Sequence, residues 1–166
     1  AKLFGDQGGN FDRLGRAVAI DGDVVAVGSA SDDDVANSAG AVYVFERDAG
    51  GVDNWGRTAK LTASDGGASQ SFGFAIDISA DQLVVGALFE TDVAENFGVA
   101  YVFERRDNGQ WTQVAKLTKQ NPARNDAFGE RIGFSGGPDA GGGWLESIWF
   151  GFYNVNFFPA WLFHLE

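Results

Sequence analysis

The residues with the clearest capacity for chemistry are acidic and amide side chains that recur in two polar loops. They are Asp32, Asp34 and Asn37 in the first loop, and Glu90, Asp92 and Glu95 at the matching positions of the second. Hard cations such as Ca²⁺ require several oxygen ligands at alternating loop positions, with backbone carbonyls completing the shell. Neither loop contains an Asp-x-Asp-x-Asp-Gly pattern. Its absence favours the alternative, a solvated acidic turn whose Asp and Asn side chains bond their own backbone.

Aromatic residues recur with the same period and offer a second kind of site. Trp55 matches Trp111, and the segment Tyr43-Val44-Phe45 matches Tyr101-Val102-Phe103. A carbohydrate-binding interpretation uses Trp55 and Trp111 as stacking platforms for sugar rings. The alternative is that large aromatic residues spaced two apart fill the space between sheets. We favour the core for the Phe residues and leave both interpretations open for Tyr and Trp.

The sequence contains no recognisable catalytic constellation, so we predict that the chain is not an enzyme. His164 is the only histidine, and no Ser or Asp stands at a spacing that suggests a nucleophilic triad. The Gly-rich stretch 136–143 lacks the following Lys-Ser/Thr and the βαβ setting of a phosphate loop. Cysteine is absent, which excludes disulfides and thiolate metal sites.

The charge balance restricts the partners. Twelve Lys and Arg residues face 23 Asp and Glu residues, which gives a formal net charge of −11. Such a charge repels nucleic-acid phosphates and anionic membrane surfaces. We therefore expect no nucleic-acid partner and consider a membrane partner unfavourable.

An internal repeat organises the chain. Ala1-Lys2-Leu3 returns as Ala59-Lys60-Leu61 and as Ala115-Lys116-Leu117. A fixed period of this size is typical of one supersecondary unit used several times. Each unit predicts four short strands separated by Gly- and Asp-rich turns. These are Arg16–Ile20, Val24–Val27, Ala41–Arg47 and Trp55–Leu61, then Phe74–Ile78, Gln82–Val85, Val99–Arg105 and Trp111–Leu117.

Evenly spaced short strands with periodic Gly and aromatic motifs predict an all-β fold, either propeller-type blades or another array of sheets, in which each unit is a four-stranded antiparallel sheet. The second strand of the first unit, Val24–Val27, reads as buried on both faces because it consists of β-branched residues and Ala, and the second unit repeats the arrangement. Glu46 with Arg47, and Glu104 with Arg105, recur at a strand end and predict cross-strand or inter-blade ion pairs.

Phe72-Gly73, followed by Gly86-Ala87 and by a Gly-x-x-Tyr-Val-Phe strand, resembles the FG-GAP repeat over about residues 1–136. The first copy departs from that pattern with Leu14-Gly15 and Gly28-Ser29. The resemblance implies β-propeller blades like those in the integrin α-subunit head, and an extracellular or cell-surface location. It also implies a calcium site in the acidic loops, on the six residues given above, and a protein or glycan ligand on a cell surface or matrix.

The repeats divide the chain into units at about 1–58, 59–114 and 115–136, followed by residues 137–166. Propellers usually have about 4–8 blades, so two complete units and a partial third form an incomplete ring. Three resolutions are open: the chain is a piece of a longer protein, several copies complete one ring, or the C-terminal segment replaces missing blades.

The segment Trp144–Glu166 is rich in Trp and Phe, and the first two units do not predict its composition. We consider three interpretations: strands that complete or cap the sheets, a tail that has shifted out of its ancestral reading frame, and a membrane-interface anchor. Capping strands are favoured, because large apolar segments are usually buried.

The preferred function is a non-enzymatic extracellular module for binding, adhesion or scaffolding. The alternatives are a carbohydrate-binding, lectin-type propeller and a self-assembling structural protein whose copies complete the propeller. The last follows from the incomplete blade count, since exposed sheet edges invite pairing with another copy.

Overall fold

The computed structural model describes residues 2–5, 12–89, 97–119, 127–135 and 147–150, and these form an all-β architecture. The first unit contains four strands, β1 (Leu14–Asp21), β2 (Val24–Ser29), β3 (Ala41–Glu46) and β4 (Gly56–Leu61). The second contains β5 (Phe72–Ser79), β6 (Gln82–Ala87), β7 (Val99–Arg105) and β8 (Trp111–Leu117). The third contains β9 (Ile132–Ser135) and β10 (Ser147–Phe150).

The first two units are antiparallel meanders with the same register. Strands pair in the order β1-β2-β3-β4 and β5-β6-β7-β8. Val24 pairs with Glu46 in the first sheet, and Gln82 pairs with Glu104 at the equivalent point of the second. All six residues of β2 and of β6 are buried, which confirms that the second strand of each unit is covered on both faces. The predicted fold of four-stranded blades is therefore confirmed.

The bounds of β7 and β8 are as predicted, and the other six predicted strands differ from the observed ones by one or two residues at one or both ends. β1 and β5 begin at the motifs Leu14-Gly15 and Phe72-Gly73, and each has an irregular register just after its start. A bulge keeps such residues in the strand while breaking the alternation that a sequence pattern reveals. Trp55 was predicted as the first residue of the fourth strand, but β4 begins at Gly56.

The main core lies between the two sheets. Val42 and Val44 of β3 belong to the same buried cluster as Phe72, Ile76 and Ile78 of β5. The Phe72 ring meets Tyr101 and Phe103 edge-on, with centroids 5.5 and 5.9 Å apart. Phe45, Phe72 and Phe103 are all buried, so the core assignment of these Phe residues is confirmed.

The Phe-Gly motif of the second unit docks directly on glycines of the first. Gly40 bridges Phe72 in parallel, and the Phe72 amide donates to Ala39 O at 2.9 Å. A Cβ added to Gly28 would stand 2.1 Å from Gly73 O. Because side chains are missing at these points, the two backbones approach to direct contact.

We call this close approach of two backbones at glycine the glycine socket. The same socket recurs between the second and third units. A Cβ on Gly86 would stand 2.0 Å from Gly129 O, and one on Gly98 would stand 2.0 Å from Phe128 O. The repeating signature of this sequence is thus a device that joins consecutive units.

Ion pairs connect residues at the end of the sheets that carries the β1–β2 and β3–β4 turns. Arg105 of the second unit contacts Glu46 of the first, and Arg47 Nε lies 2.6 Å from Asp23 Oδ1 across the β1–β2 turn. The predicted inter-blade or cross-strand ion pairing is confirmed for Glu46, Arg47 and Arg105, whereas the ion pair of Glu104 is with Arg106, two residues further along the chain.

The third unit provides two strands among the described residues. β9 and β10 pair antiparallel, with Ile132 opposite Phe150, as Ile76 is opposite Val85 in the second unit. β10 therefore occupies the second-strand position of its sheet. This supports the strand interpretation for residues 147–150 of the aromatic segment, while the Gly-rich stretch 136–143 and residues 151–166 lie outside the described part. Among the described residues, no helix is long and apolar enough to span a membrane.

Candidate functional site

One end of the sheets is formed by two connections, the β2–β3 loop at residues 30–40 and the link between units at residues 62–71. Backbone hydrogen bonds join the two connections along their length. Ser69 N donates to Asn37 O at 2.7 Å, and Ser71 N donates to Ser38 O at 3.1 Å. We call this surface the loop edge, and the opposite end, with the β1–β2 and β3–β4 turns, the turn edge.

Asp32 anchors the loop edge from inside. Its side chain is buried, and its Oδ2 accepts a hydrogen bond of 2.7 Å from the Tyr43 hydroxyl. Its backbone carbonyl accepts from Gly40 N at 3.0 Å, which closes the loop on itself. Its Oδ1 accepts from Asp34 N at 3.2 Å. One carboxylate therefore fixes both the conformation of the loop and its attachment to β3.

Lys60 provides the positive charge at this point. Its Nζ lies 3.1 Å from Asp32 Oδ1 and 3.0 Å from Asp32 Oδ2, and it also contacts Asp34. It stands 5.0 Å from the centroid of the Tyr43 ring, to which it is the cross-strand neighbour. Burial by itself lowers the Lys60 pKa, but the contacts with Asp34, Tyr43 and Asp32 outweigh it, and the pKa is raised. Lys60 is therefore a fixed ammonium ion rather than a base or an amine nucleophile.

The second unit repeats the pair but takes its carboxylate from another place. Tyr101 and Lys116 match Tyr43 and Lys60, and they bind Asp65 of the link between units. The Tyr101 hydroxyl donates to Asp65 Oδ1 at 2.9 Å. Burial raises the Asp65 pKa, but the contacts with Lys116 and Tyr101 lower it more, so the net pKa lies below its ordinary value. Two Tyr–Lys–Asp clusters thus lie along one edge.

The remaining acids make this edge negative. Asp33 Oδ1 accepts from Ser38 N at 2.6 Å, while the side chain of Asp34 is mostly exposed. Burial raises the pKa of Asp12, and the charges of Asp32, Asp33 and Asp34 raise it further. The charge of Lys60 opposes this effect of the three acids on the Asp12 pKa.

In this arrangement Lys60 and Tyr43 engage the carboxylates of Asp32 and Asp34, where a calcium ion would compete with the lysine, so calcium binding to the first loop stays a prediction. Both oxygens of Asp32 are engaged by Lys60 and Tyr43, and Lys60 also contacts Asp34. The backbone carbonyl of Asn37, as distinct from its side-chain amide, accepts from Ser69 N. Within the described ranges, no group of three or more acidic or histidine side chains is placed to hold a metal. Glu90, Asp92 and Glu95 lie outside the described residues, so calcium binding there stays a prediction.

The two tryptophans predicted as sugar platforms lie at the turn edge, away from the acidic loop. Trp55 is half-buried against the cluster of Val25, Val27, Tyr43 and Phe45, and the Arg47 guanidinium stands 5.1 Å from its ring centroid. Trp111 packs against the main core, and its Nε1 is buried without a hydrogen-bond partner in the described part of the chain. The structure therefore does not bring the two candidate sites together.

Sequence analysis missed Lys60, Tyr43 and Asp65 as members of the loop edge. A signal was available, because Tyr43 with Lys60 and Tyr101 with Lys116 recur as cross-strand partners. Ala-Lys-Leu was read as a marker of the period, although its Lys is the residue that neutralises the acids. Asp65 lies in the link between units. It could not be found by matching positions between the repeats, because the matching position in the first unit is Gln7.

Comparison with known proteins agrees with this architecture. No curated protein matches the sequence significantly. The profile of the FG-GAP repeat matches residues 1–45 and 55–103, which is more than half of the chain. The first matched stretch contains β1, β2 and most of β3, and the second contains β4 to β6 and most of β7, so together they include the Gly28 and Phe72-Gly73 contacts described above. The chain belongs to the FG-GAP repeat family.

Proposed function

We propose that the chain is a non-enzymatic extracellular binding module. Its acidic loop edge binds a basic surface of a protein ligand. Repeats of this family are typical of binding and adhesion propellers, are in general not enzymes, and occur mostly in extracellular proteins. In this proposal the loop edge is the binding surface, and its charge defines the chemistry of the ligand.

The observation that carries the proposal is the separation of exposed and buried charge at the loop edge. Asp33, Asp34 and Val35 are exposed at the tip of the first loop. Lys60, which could offset their charge, lies underneath and is already shared between Asp32 and Asp34. The outermost layer is therefore anionic with an apolar residue among the acids, a surface that complements Arg and Lys side chains.

The loop edge is also rigid enough to bind without a large ordering cost. The Asp32 carboxylate, the Asp33–Ser38 hydrogen bond and the bonds from Ser69 and Ser71 hold the loop at several points. Loops presented by a fixed scaffold are common binding surfaces, because the scaffold defines their shape before the ligand arrives.

The test compares isosteric variants with equal loss of charge. Asp33→Asn/Asp34→Asn removes two charges from the loop edge, and Asp81→Asn/Asp107→Asn removes two from exposed residues of the turn edge. Binding to an immobilised cationic protein such as cytochrome c is measured at low and physiological salt. We expect the loop-edge variant to bind at least about tenfold more weakly, and the turn-edge variant to bind like the wild type. Equal loss in both variants would mean that net charge alone drives the interaction and would refute a loop-edge site.

The lectin-type alternative locates binding at the turn edge. It requires accessible faces on Trp55 and Trp111, whereas Trp111 Nε1 is buried. Screening against a glycan array, followed by Trp55→Ala, separates the two functions. Glycan binding that is lost in Trp55→Ala and kept in Asp33→Asn/Asp34→Asn would support the lectin-type function over ours.

A further inference from the structure

The first strands of the first two units carry equivalent apolar residues but differ sharply in exposure. Val18 and Ile20 of β1 are 60% and 63% exposed, whereas their equivalents in β5, Ile76 and Ile78, are 8% and 5% exposed. Leu14 is likewise exposed, while its equivalent Phe72 is fully buried. The side chains of β1 and β5 are alike in their apolar character, but those of β5 are covered by other residues and those of β1 are exposed.

The covering of β5 is provided by the glycine-bearing sheet of the preceding unit. Gly28 of β2 lies against Gly73 and Ile76, and Gly40 lies against the Phe72 backbone. The third unit repeats this arrangement, since a Cβ on Gly86 would stand 3.2 Å from Ile132 Cδ1. Twice in this chain, therefore, a first strand lies against the second strand of the unit before it.

β1 has the same kind of face, and no described residue of the chain covers its Val18 and Ile20. An apolar strand face of this type is unfavourable to leave in water. The surface formed by Leu14, Val18 and Ile20 is called the open face below. Its shape is that of a first strand, so the complementary surface is a second strand of the same repeat.

We propose that the open face docks on the third unit of a second copy of this chain, in a head-to-tail arrangement. β10 pairs with β9 as β6 pairs with β5, so it holds the second-strand position on which a further first strand lies. The contact would continue the inter-unit stacking already present twice within one chain. Such an interface joins different surfaces of the two copies, and it propagates until a ring closes.

The first experiment measures the mass of the chain by sedimentation velocity over a wide concentration range. The variant Val18→Asp/Ile20→Asp places two charges on the open face, where both side chains are exposed and support no core of their own. The control Val52→Asp places one charge on a residue that is 85% exposed in the β3–β4 turn. Far-ultraviolet circular dichroism confirms that each variant keeps its sheets.

We expect the wild type and Val52→Asp to assemble into species larger than the 17.7 kDa monomer. We expect Val18→Asp/Ile20→Asp to associate on the order of a hundredfold more weakly, because two apolar contacts are replaced by charges. Assembly that persists unchanged in this variant would overturn the proposal. A wild type that stays monomeric at all concentrations would do the same, and would assign the open face to another occupant, such as a further repeat of a longer chain.

The second experiment identifies the partner surface. The chain has no cysteine, so Ile20→Cys introduces one site for a photoactivatable maleimide cross-linker. We expect cross-linked peptides from residues 127–166 of the other copy. Cross-links between two β1 strands would show a symmetric, face-to-face dimer and would overturn the head-to-tail arrangement.

Discussion

Replacing Lys60 by Met tests whether the loop edge depends on an internal ammonium ion. The substitution keeps an unbranched side chain one atom shorter than that of Lys and removes its charge. Among the contacts described above, Tyr43 is then the side-chain hydrogen-bond donor left to the buried Asp32 carboxylate. The chain itself contains the matched control, since Lys116→Met makes the same change in the equivalent cluster around Asp65.

The expected magnitudes follow from the exposure of the two carboxylates. The Asp32 side chain is 4% exposed, and removing one partner of a buried ion pair costs about 3–5 kcal/mol. Lys60 is itself 19% exposed, so water can enter and we expect the lower end, about 3 kcal/mol. The Asp65 side chain is 35% exposed, and partly exposed pairs contribute about 0–1 kcal/mol. For a domain of this size, the two variants should differ in Tm by roughly 4–10 °C.

The assay is thermal and urea unfolding of wild type, Lys60→Met and Lys116→Met at neutral pH. Adding Asp32→Asn to Lys60→Met removes the uncompensated charge and keeps an oxygen that can accept from Tyr43, so at least half of the lost stability should return. Equal destabilisation by the two Met variants, or no rescue by Asp32→Asn, would refute the reasoning from burial.

Three further predictions concern the inter-unit socket, the pH response and calcium. Gly28→Ala should lower the free energy of unfolding by about 3 kcal/mol or more, because its Cβ would stand 2.1 Å from a backbone carbonyl of the next unit. Gly109→Ala, whose Cβ meets no atom within 4 Å, should cost only the strain of its positive φ, about 1–2 kcal/mol; urea unfolding that gives the opposite order would contradict the socket. Since the Asp65 pKa is lowered by folding, its contribution to stability is present above the unfolded value near 3.8 and is lost as pH falls through the folded pKa. The difference in Tm between wild type and Asp65→Asn should therefore shrink at acid pH, and a constant difference would argue against the pairing with Lys116. Finally, isothermal titration should show tighter calcium binding to Lys60→Gln than to wild type, because the competing ammonium ion is gone; equal affinities would mean that Lys60 does not compete.

The fold followed from the sequence because its determinants are local and repeated. The apolar runs of β2 and β6, the Asp21-Gly22 turn and the recurring Tyr-Val-Phe strands each specify a strand or a turn without reference to distant residues. Repetition then fixed the sheet order, since one meander explains both units.

Parts of the site depended on contacts that no local pattern contains. The position of Asp65 beside Lys116 arises when two sheets stack, and the partner of Lys60 depends on a loop that folds back over β4. The acidic loop was predicted as a candidate cation site from its composition alone. The structure shows that a lysine from a neighbouring strand already meets that charge.

The third unit illustrates the same limit. Ser147–Phe150 was grouped with an aromatic segment of unexplained composition, although it takes the register of Gln82–Val85. In the second unit, β5 and β6 are joined by a two-residue turn at Ala80 and Asp81. In the third unit, residues 136–146 separate the equivalent strands β9 and β10. A fixed period cannot locate a strand after an insertion of that length.

Because of the glycine socket, the spacing between consecutive units is independent of the loop side chains that would contact a ligand. Consecutive units meet through main-chain atoms at Gly28, Gly40 and Gly73, so the spacing between neighbouring loop edges does not depend on which side chains the loops carry. Substitutions in residues 30–40 can therefore change charge and shape at one recognition point while the distance to the next point stays constant. A chain built in this way can acquire a new binding partner one loop at a time.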